Sequence, residues 1–197
     1  MIVILDAGHG GMIDGEYQTA GKRSPIWDDG SQYFEGVGNR EIVSKLTEQL
    51  TEKGIEVFNA NPTEKDMKLS ERVSIINKEI KSNPDKEFIG VSVHSNGFHD
   101  QRANGWSVHI SGGCSIDSLI MADLSSNQMK VEFPDHVLRG VKTNNFYILK
   151  KTICPFVLTE NFFMTNEKEC KEILMTKEGQ DKIVKLHLDF ICEFLDK

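Results

Sequence analysis

Two histidines and two glutamates stand in short motifs of the kind that a zinc hydrolase needs. They are His9 in DAGHGG (residues 6–11), Glu35 in FEG (34–36), His94 in VHSN (93–96) and Glu160 in LTEN (158–161). Two imidazoles and one carboxylate can bind zinc and leave one coordination position open for water, and a second carboxylate can then act as general base. The four residues together therefore indicate a zinc hydrolase with a single metal ion.

Three of these four residues directly follow short apolar runs that are typical of β-strands. His9 comes after the run 2–5, His94 after 88–93 and Glu160 after 156–159. Open α/β sheets build their sites at the carboxyl ends of strands, so we expect the three side chains to meet at one edge of a sheet.

Each motif alone is weak and has an ordinary structural explanation. The glycines around His9 could form a phosphate loop, although the helix that such a loop requires does not follow. His94 could be a histidine whose hydrogen bonds are satisfied at a strand end, and Glu160 could pair with Arg139 or Lys150. Only the combination of the four residues points to catalysis.

The bulk composition fits one folded domain over residues 1–197, with no room for a second binding module. Of the 197 residues, 27% are charged and 39% hydrophobic, and the net charge is −7, which argues against nucleic-acid binding. No segment has the roughly 20 apolar residues that span a bilayer, and the first residues lack the basic region of a signal peptide. The four cysteines form no CxxC pair and are expected to be reduced thiols.

Strand and helix patterns alternate along the chain. Strands are predicted at 2–5, 55–58, 87–93, 106–110 and 156–159, with a further strand at 145–149. Helices are predicted from a cap at Asn39, from a cap at Ser70, over 115–129 and over 179–195, with a short helix at a capping box of Asn166 and Glu169. The fold class is therefore α/β, with a mostly parallel twisted sheet of about six strands flanked by helices.

The segment 10–38 has no sustained periodicity and is rich in glycine and aspartate. A loop of that length in a compact domain is usually functional. Its aromatic residues, Trp27, Tyr33 and Phe34, are interpreted either as anchors that fix the loop or as one wall of a substrate groove.

In this order, the motifs resemble the zinc-dependent N-acetylmuramoyl-L-alanine amidases of the type 3 family over nearly the whole chain. Further similar segments are LSER (69–72), RGVK (139–142) with FYIL (146–149), and PFVLTE (155–160). The resemblance implies that His9, Glu35 and His94 bind one Zn²⁺ and that Glu160 is the catalytic base. One departure is Thr159 and Asn161 beside Glu160, where the family more usually has other residues.

The resemblance also implies the reaction, which is hydrolysis of the amide bond between N-acetylmuramic acid and L-alanine in peptidoglycan. Asn96, Arg23 and Arg139 are candidate substrate contacts, since arginine can bind carboxylates in a bidentate manner. We expect a monomer with peptidoglycan as its partner and no nucleic-acid or membrane partner. It would act on the cell wall, either as a phage lysin released at lysis or as a bacterial hydrolase lacking its targeting segment.

Two other functions remain open at this point. A zinc peptidase could cut within the stem peptide, although the chain has no HExxH motif. A wall-binding module without activity would have no need of Glu160. A serine hydrolase is disfavoured because no GxSxG motif is present.

Overall fold

Six strands form one mixed sheet at the centre of the computed structural model, which describes all residues 1–197. They are β1 (Ile2–Ala7), β4 (Glu56–Asn59), β5 (Phe88–Asn96), β6 (Trp106–Ile110), β7 (Leu138–Thr143) and β8 (Phe156–Phe163), in the spatial order β4-β1-β5-β8-β6-β7. Two short strands, β2 (Met12–Ile13) and β3 (Glu16–Tyr17), pair separately as a hairpin. Strands β4, β1, β5 and β8 are parallel, while β6 runs antiparallel to β8 and parallel to β7.

Helices flank this sheet. They are α1 (Glu35–Glu52), α2 (Leu69–Ser82), α3 (Ile116–Glu132), α4 (Tyr147–Lys151), α5 (Glu167–Glu169) and α6 (Lys177–Leu195), and a π-helical turn at Cys170–Leu174 follows α5. None of the helices is both long enough and apolar enough to cross a membrane. The predicted α/β class with a mostly parallel sheet of about six strands is confirmed.

The side chains of β1 alternate between two hydrophobic cores. Val3, Leu5 and Ala7 belong to the larger core, which also contains buried residues of α1, α3 and α6. Ile2 and Ile4 belong to the smaller core, which includes buried residues of α2 and α4. Because both faces of β1 are covered, the strand is a continuous apolar run, as buried parallel strands usually are.

Several predicted boundaries differ from the structure. Helix α1 begins at Glu35, so Asn39 is not its cap but a buried residue inside it. Helix α2 has Lys68 rather than Ser70 as its N-cap. The predicted strand at 145–149 is wrong, because that segment enters α4 and the neighbouring residues Leu138–Thr143 provide β7 instead.

The short helix α5 has the predicted cap. The Asn166 side chain accepts a hydrogen bond of 3.1 Å from the backbone N–H of Glu169. The Glu169 carboxylate does not close the box; it accepts from the backbone N–H groups of Gly105 and Phe163 and so ties the segment to the sheet. All four cysteines are free thiols, as expected.

Candidate active site

His9 follows β1 in a left-handed backbone conformation, with a φ of 68°. Few residues other than glycine adopt this conformation, so the surrounding structure must hold it in place. The Asn61 side-chain amide donates hydrogen bonds to the carbonyl oxygens of Ala7, at 2.7 Å, and His9, at 3.0 Å. Asn61 thereby fixes the turn that directs the His9 imidazole away from the strand end.

A buried ion pair lies beneath the same turn. The Asp6 carboxylate accepts a 2.6 Å hydrogen bond from the Ser92 hydroxyl and lies 3.4 Å from Nη1 of Arg72. Arg72 also donates to the carbonyl oxygen of Ala7. Both charged groups are almost fully buried, so each requires the other to offset the cost of its desolvation. The pair joins β1, β5 and α2 directly behind the site.

Glu35 is the first residue of α1, and its carboxylate lies between the two histidines. Its backbone N–H donates to the carbonyl oxygen of Lys22, which fixes the end of the long loop. Glu35 Oε1 lies 3.2 Å from His9 Nε2 and 3.1 Å from His94 Nδ1, and it accepts a hydrogen bond from the backbone N–H of Ser95. A carboxylate in the first turn also interacts favourably with the helix dipole.

These three residues fit a single metal ion. Their ligand atoms all lie within 4.8 Å of one another, and zinc bonds of about 2.0–2.2 Å in a tetrahedron place ligands roughly 3.4 Å apart. Glu35 Oε2 is buried without a hydrogen-bond partner, and buried His9 Nε2 makes no hydrogen bond of good geometry even to Glu35 Oε1, which is costly for polar atoms unless another group binds them. The donor set of two imidazoles and one carboxylate suits zinc.

Burial and the mutual contacts of the three residues shift their pKa values in different directions. Burial works against the Glu35 carboxylate, yet the contacts with His9 and His94 outweigh it and lower the pKa of Glu35. Burial lowers the pKa of His9, which favours the neutral imidazole that binds metals. Burial also disfavours protonated His94, but the bond to Glu35 prevails and raises the pKa of His94. Metal binding at this histidine would therefore release a proton.

Glu160 lies on β8 directly opposite His94 on β5. Its Oε2 is buried without a hydrogen-bond partner, and it makes an ion pair with neither Arg139 nor Lys150. Burial raises the pKa of Glu160 to about 7, an effect that nearby His94 opposes and Glu35 reinforces. A carboxylate whose pKa lies near neutrality can both accept and return a proton.

The unusual residues beside Glu160 form a buried hydrogen-bond network. Asn161 Nδ2 donates to the carbonyl oxygen of His94 and to the Thr159 hydroxyl, while Asn161 Oδ1 accepts from the Trp106 indole. The Thr159 hydroxyl bonds to Nε2 of His187, a fully buried residue of α6. The network connects the two strands that carry His94 and Glu160, and both Thr159 and Asn161 take part in it.

The end of β8 is irregular near Glu160. The register between β5 and β8 shifts after the pair His94 and Glu160, so that Asn96 lies opposite Phe163. Phe162 has a positive φ of 64° within this irregularity, and its ring packs 4.8 Å from that of Phe133. Two non-glycine residues with positive φ, His9 and Phe162, thus lie near the site. Backbone strain of this kind is common in functional sites.

Two clefts meet at the site. One has a volume of about 460 Å³ and the other about 320 Å³, and both are lined by Lys22, His94 and Glu160. The predicted contacts Arg23 and Asn96 line the smaller cleft, whereas Arg139 lines neither of the two. Arg139 instead donates to the carbonyl oxygen of Asn104 and lies 5.1 Å from the ring centroid of Phe163.

Some residues of the site had no distinct sequence signal. Asn61 and Lys22 stand in polar segments where one amide or lysine is unremarkable, and only the folded chain brings them to His9 and Glu160. His109 is buried and hydrogen-bonded to Ser107 and Asn144. Of the aromatic residues in the long loop, Trp27 and Tyr33 are buried anchors, and the Tyr33 hydroxyl contacts that of Ser95.

Two solved structures show the same fold. An N-acetylmuramoyl-L-alanine amidase from Clostridium difficile 630 superposes with a TM-score of 0.82 at 23% identity, covering 100% of this chain and 97% of that one. The CwlD amidase from Clostridioides difficile, solved in complex with the GerS lipoprotein, has a TM-score of 0.77 at 28% identity and covers 99% and 98%.

The sequence comparisons agree with the fold. An uncharacterized cell wall amidase from Bacillus anthracis is 28% identical over 178 residues, or 87% of this chain and 31% of that protein. The chain thus spans about a third of the length of that relative. The model of the N-acetylmuramoyl-L-alanine amidase family matches residues 3–193. Because this match covers nearly all of the sequence, the chain belongs to the N-acetylmuramoyl-L-alanine amidase family.

Proposed function

We propose that this protein is a zinc-dependent amidase that hydrolyses the bond between the lactyl group of N-acetylmuramic acid and L-alanine in peptidoglycan. The observation that carries the proposal is the convergence of His9, Glu35 and His94 beside the unpaired carboxylate of Glu160, within a chain of this family. A structural domain would have no use for a buried glutamate without a partner.

His9, Glu35 and His94 would hold the zinc ion. When bound there, zinc supplies a Lewis acid that polarises the scissile carbonyl and acidifies a water molecule. His9 follows the end of β1, Glu35 begins α1, and His94 lies on β5, which is the neighbour of β1. Buried hydrogen bonds connect these three elements. Such support holds ligands in place before the ion binds.

Glu160 is the proposed general base and acid. It takes a proton from the attacking water and delivers it to the nitrogen of the leaving L-alanine. Its position opposite His94 on the neighbouring strand supports this role, because His94 is one of the three proposed ligands. The buried network through Asn161 and Thr159 limits movement of the strand and so keeps this placement constant.

The cleft arrangement supports an extended polymeric substrate. The two clefts share Glu160 and His94 in their linings, so a substrate chain that occupies both would pass the candidate active site. The larger cleft contains the hydrophobic and aromatic residues Leu69, Phe146 and Tyr147 beside its polar ones. Arg23 and Asn96 remain proposed substrate contacts, whereas the position of Arg139 outside both clefts gives its proposed contact no support.

The bond that is cleaved can be identified from the products. Digestion of purified peptidoglycan should release peptides with a new N-terminal L-alanine and leave the number of glycan reducing ends unchanged, as measured by amine labelling and mass spectrometry. New amines within the stem peptide would instead identify a zinc peptidase. Sedimentation with sacculi without any cleavage would identify a wall-binding module.

The metal identity and the assembly state belong to the same proposal. We propose one zinc ion per chain, because the donor set has the histidine and carboxylate composition of catalytic zinc sites.

We also propose that the protein acts on the cell wall as a monomer. Light scattering of the zinc-loaded protein at several concentrations would test the monomer directly.

A further inference from the structure

The two clefts that meet at Glu160 differ in chemistry. The larger one, here called the aromatic cleft, is lined by Met67, Leu69, Phe146 and Tyr147 among others. The smaller one, here called the cationic cleft, is lined by Arg23, Asn96, Phe98, His99 and Thr165 among others. Because Glu160 and His94 line both, a substrate whose reacting bond lies beside them can place one half in each cleft.

The aromatic cleft presents two exposed rings. Phe146 is 38% exposed and Tyr147 is 43% exposed, and both stand at the start of α4. The ring of Phe146 packs 5.2 Å from that of His109, which Ser107 and Asn144 hold by hydrogen bonds. This support fixes the ring in place before any ligand binds. The negative face of an aromatic ring attracts polarised C–H groups, such as those on the face of a pyranose sugar.

The cationic cleft contains an arginine that makes no ion pair. Lys22 and Arg23 follow each other in the chain, and neither has a carboxylate within ion-pair distance. The acids that line this cleft are Glu35 and Glu160, which belong to the candidate active site. A backbone bridge between Arg23 and Phe34 fixes this part of the loop. A guanidinium free of other partners is well suited to bind a carboxylate in a bidentate manner.

Lys22 lines both clefts and so favours neither, whereas the arginine of the aromatic cleft is already engaged. Arg72 is buried and paired with Asp6 and Asp66, at 3.4 and 3.5 Å. Asp66 also lines that cleft, so a carboxylate entering it beside Lys68 would meet a like charge. A guanidinium without an ion-pair partner is therefore present only in the cationic cleft, which favours the binding of a ligand carboxylate there.

We propose that the two clefts set the direction of the substrate, with the muramic acid sugar on Phe146 and Tyr147 and the acidic stem peptide in the cationic cleft. Arg23 would bind the free α-carboxylate of the γ-linked glutamate that follows L-alanine. This assignment rests on the proposed amidase function. It makes Arg23 and Tyr147 specificity determinants that act on opposite halves of the same substrate.

Four soluble substrates separate the two contacts. They combine an N-acetylmuramoyl or a plain lactyl acyl group with a stem peptide whose second residue carries either a free carboxylate or a carboxamide. For the zinc-loaded enzyme, Arg23→Gln should lower the preference in kcat/KM for the carboxylate by about tenfold and leave the preference for the sugar unchanged. Tyr147→Ala should lower the preference for the sugar by about fivefold and leave the preference for the carboxylate unchanged.

Matched variants control for general effects. Arg102→Gln removes an exposed guanidinium outside both clefts, and Phe98→Ala removes an exposed ring from the cationic cleft. Arg102→Gln should leave both preferences unchanged, and Phe98→Ala should leave the preference for the sugar unchanged. The assignment would be overturned if Arg23→Gln altered the preference for the sugar and Tyr147→Ala that for the carboxylate, or if neither variant altered either preference. The amidase function would stand in both cases. Failure of the wild-type enzyme to cleave any of the four substrates would reject both.

Discussion

The Asn61 side chain holds the backbone of His9 in a left-handed turn. Asn61 Nδ2 donates to the carbonyl oxygen of His9 at 3.0 Å, and His9 has a φ of 68°. The same amide donates to Ala7 at the end of β1. A residue outside the four zinc-hydrolase motifs thus determines the direction of a proposed metal ligand.

We expect Asn61→Ala to weaken zinc binding by roughly tenfold to hundredfold, since loss of the two hydrogen bonds frees the turn that carries His9. Competition with a chromophoric chelator measures the affinity. Asn83→Ala, at the C-terminus of α2, removes an asparagine far from the site and should keep the wild-type affinity. An unchanged affinity in Asn61→Ala would show that the His9 turn does not depend on this amide.

Gly8 is required because it lies against His94. A Cβ atom at this position would be 2.3 Å from Cε1 of the His94 ring, much closer than two carbon atoms can approach. Gly8→Ala should therefore displace a proposed ligand and reduce the metal content, at a cost in stability of about 1–3 kcal/mol. Metal analysis and thermal melting measure the two effects.

Gly112→Ala provides the matched control for this substitution. A Cβ atom at Gly112 would meet only Thr143, at 3.8 Å, which is an ordinary contact. The control should bind zinc as the wild type does. Full metal content in Gly8→Ala would mean that the site tolerates a displaced His94 and that the close approach has no functional role.

Glu160→Gln should keep the metal and lose turnover. The amide occupies nearly the same volume but cannot accept the proton of water, so we expect kcat to fall by about 10²–10⁴-fold. Zinc content and the rate of peptidoglycan digestion are measured on the same preparation. Substantial hydrolysis by a fully zinc-loaded variant would remove Glu160 from the mechanism.

Buried His187 should make the fold sensitive to acid. Burial lowers the pKa of His187 to about 4, while its Nδ1–H donates to the carbonyl oxygen of Ile183 and Nε2 accepts from Thr159. Between pH 6.5 and 4 the unfolded chain binds a proton that the folded protein does not, so the free energy of unfolding decreases as the pH falls. The loss reaches on the order of 3 kcal/mol for one such histidine.

Denaturant unfolding at several pH values tests this contribution. For His187→Gln, the unfolding free energy should decrease less steeply with falling pH than for the wild type. The difference in slope should correspond to the uptake of at most one proton on unfolding over this range. His99→Gln, which removes an exposed imidazole, should retain the wild-type dependence. Equal slopes for the wild type and His187→Gln would show that His187 is not kept neutral in the folded protein.

The elements that could be predicted from sequence are those with strong local patterns. The apolar runs before His9, His94 and Glu160 are buried strands, and the three residues do converge at their carboxyl ends. Burial on both faces produces such runs, and the topology of a parallel sheet then determines where they end. The approximate position of the site followed from those two facts.

The features that could not be predicted depend on tertiary contacts. The segment 145–149 has strand-forming residues, yet β7 already occupies the sheet edge and Tyr147–Lys151 is helical. The sequence does not show that β6 pairs antiparallel with β8, because a strand that is buried on both faces is an apolar run whichever direction it takes. The burial of His109 and His187 depends on partners such as Asn144 and Thr159, which only the folded chain brings near.

The most direct test of the account is the zinc content of the wild type and of His94→Ala, together with peptidoglycan digestion before and after chelation. We predict about one zinc per wild-type chain, activity that chelation removes and Zn²⁺ restores, and a marked loss of zinc in His94→Ala. Full zinc content in His94→Ala, or digestion that continues unchanged in the chelated wild type, would contradict the proposed metal site and its function in hydrolysis.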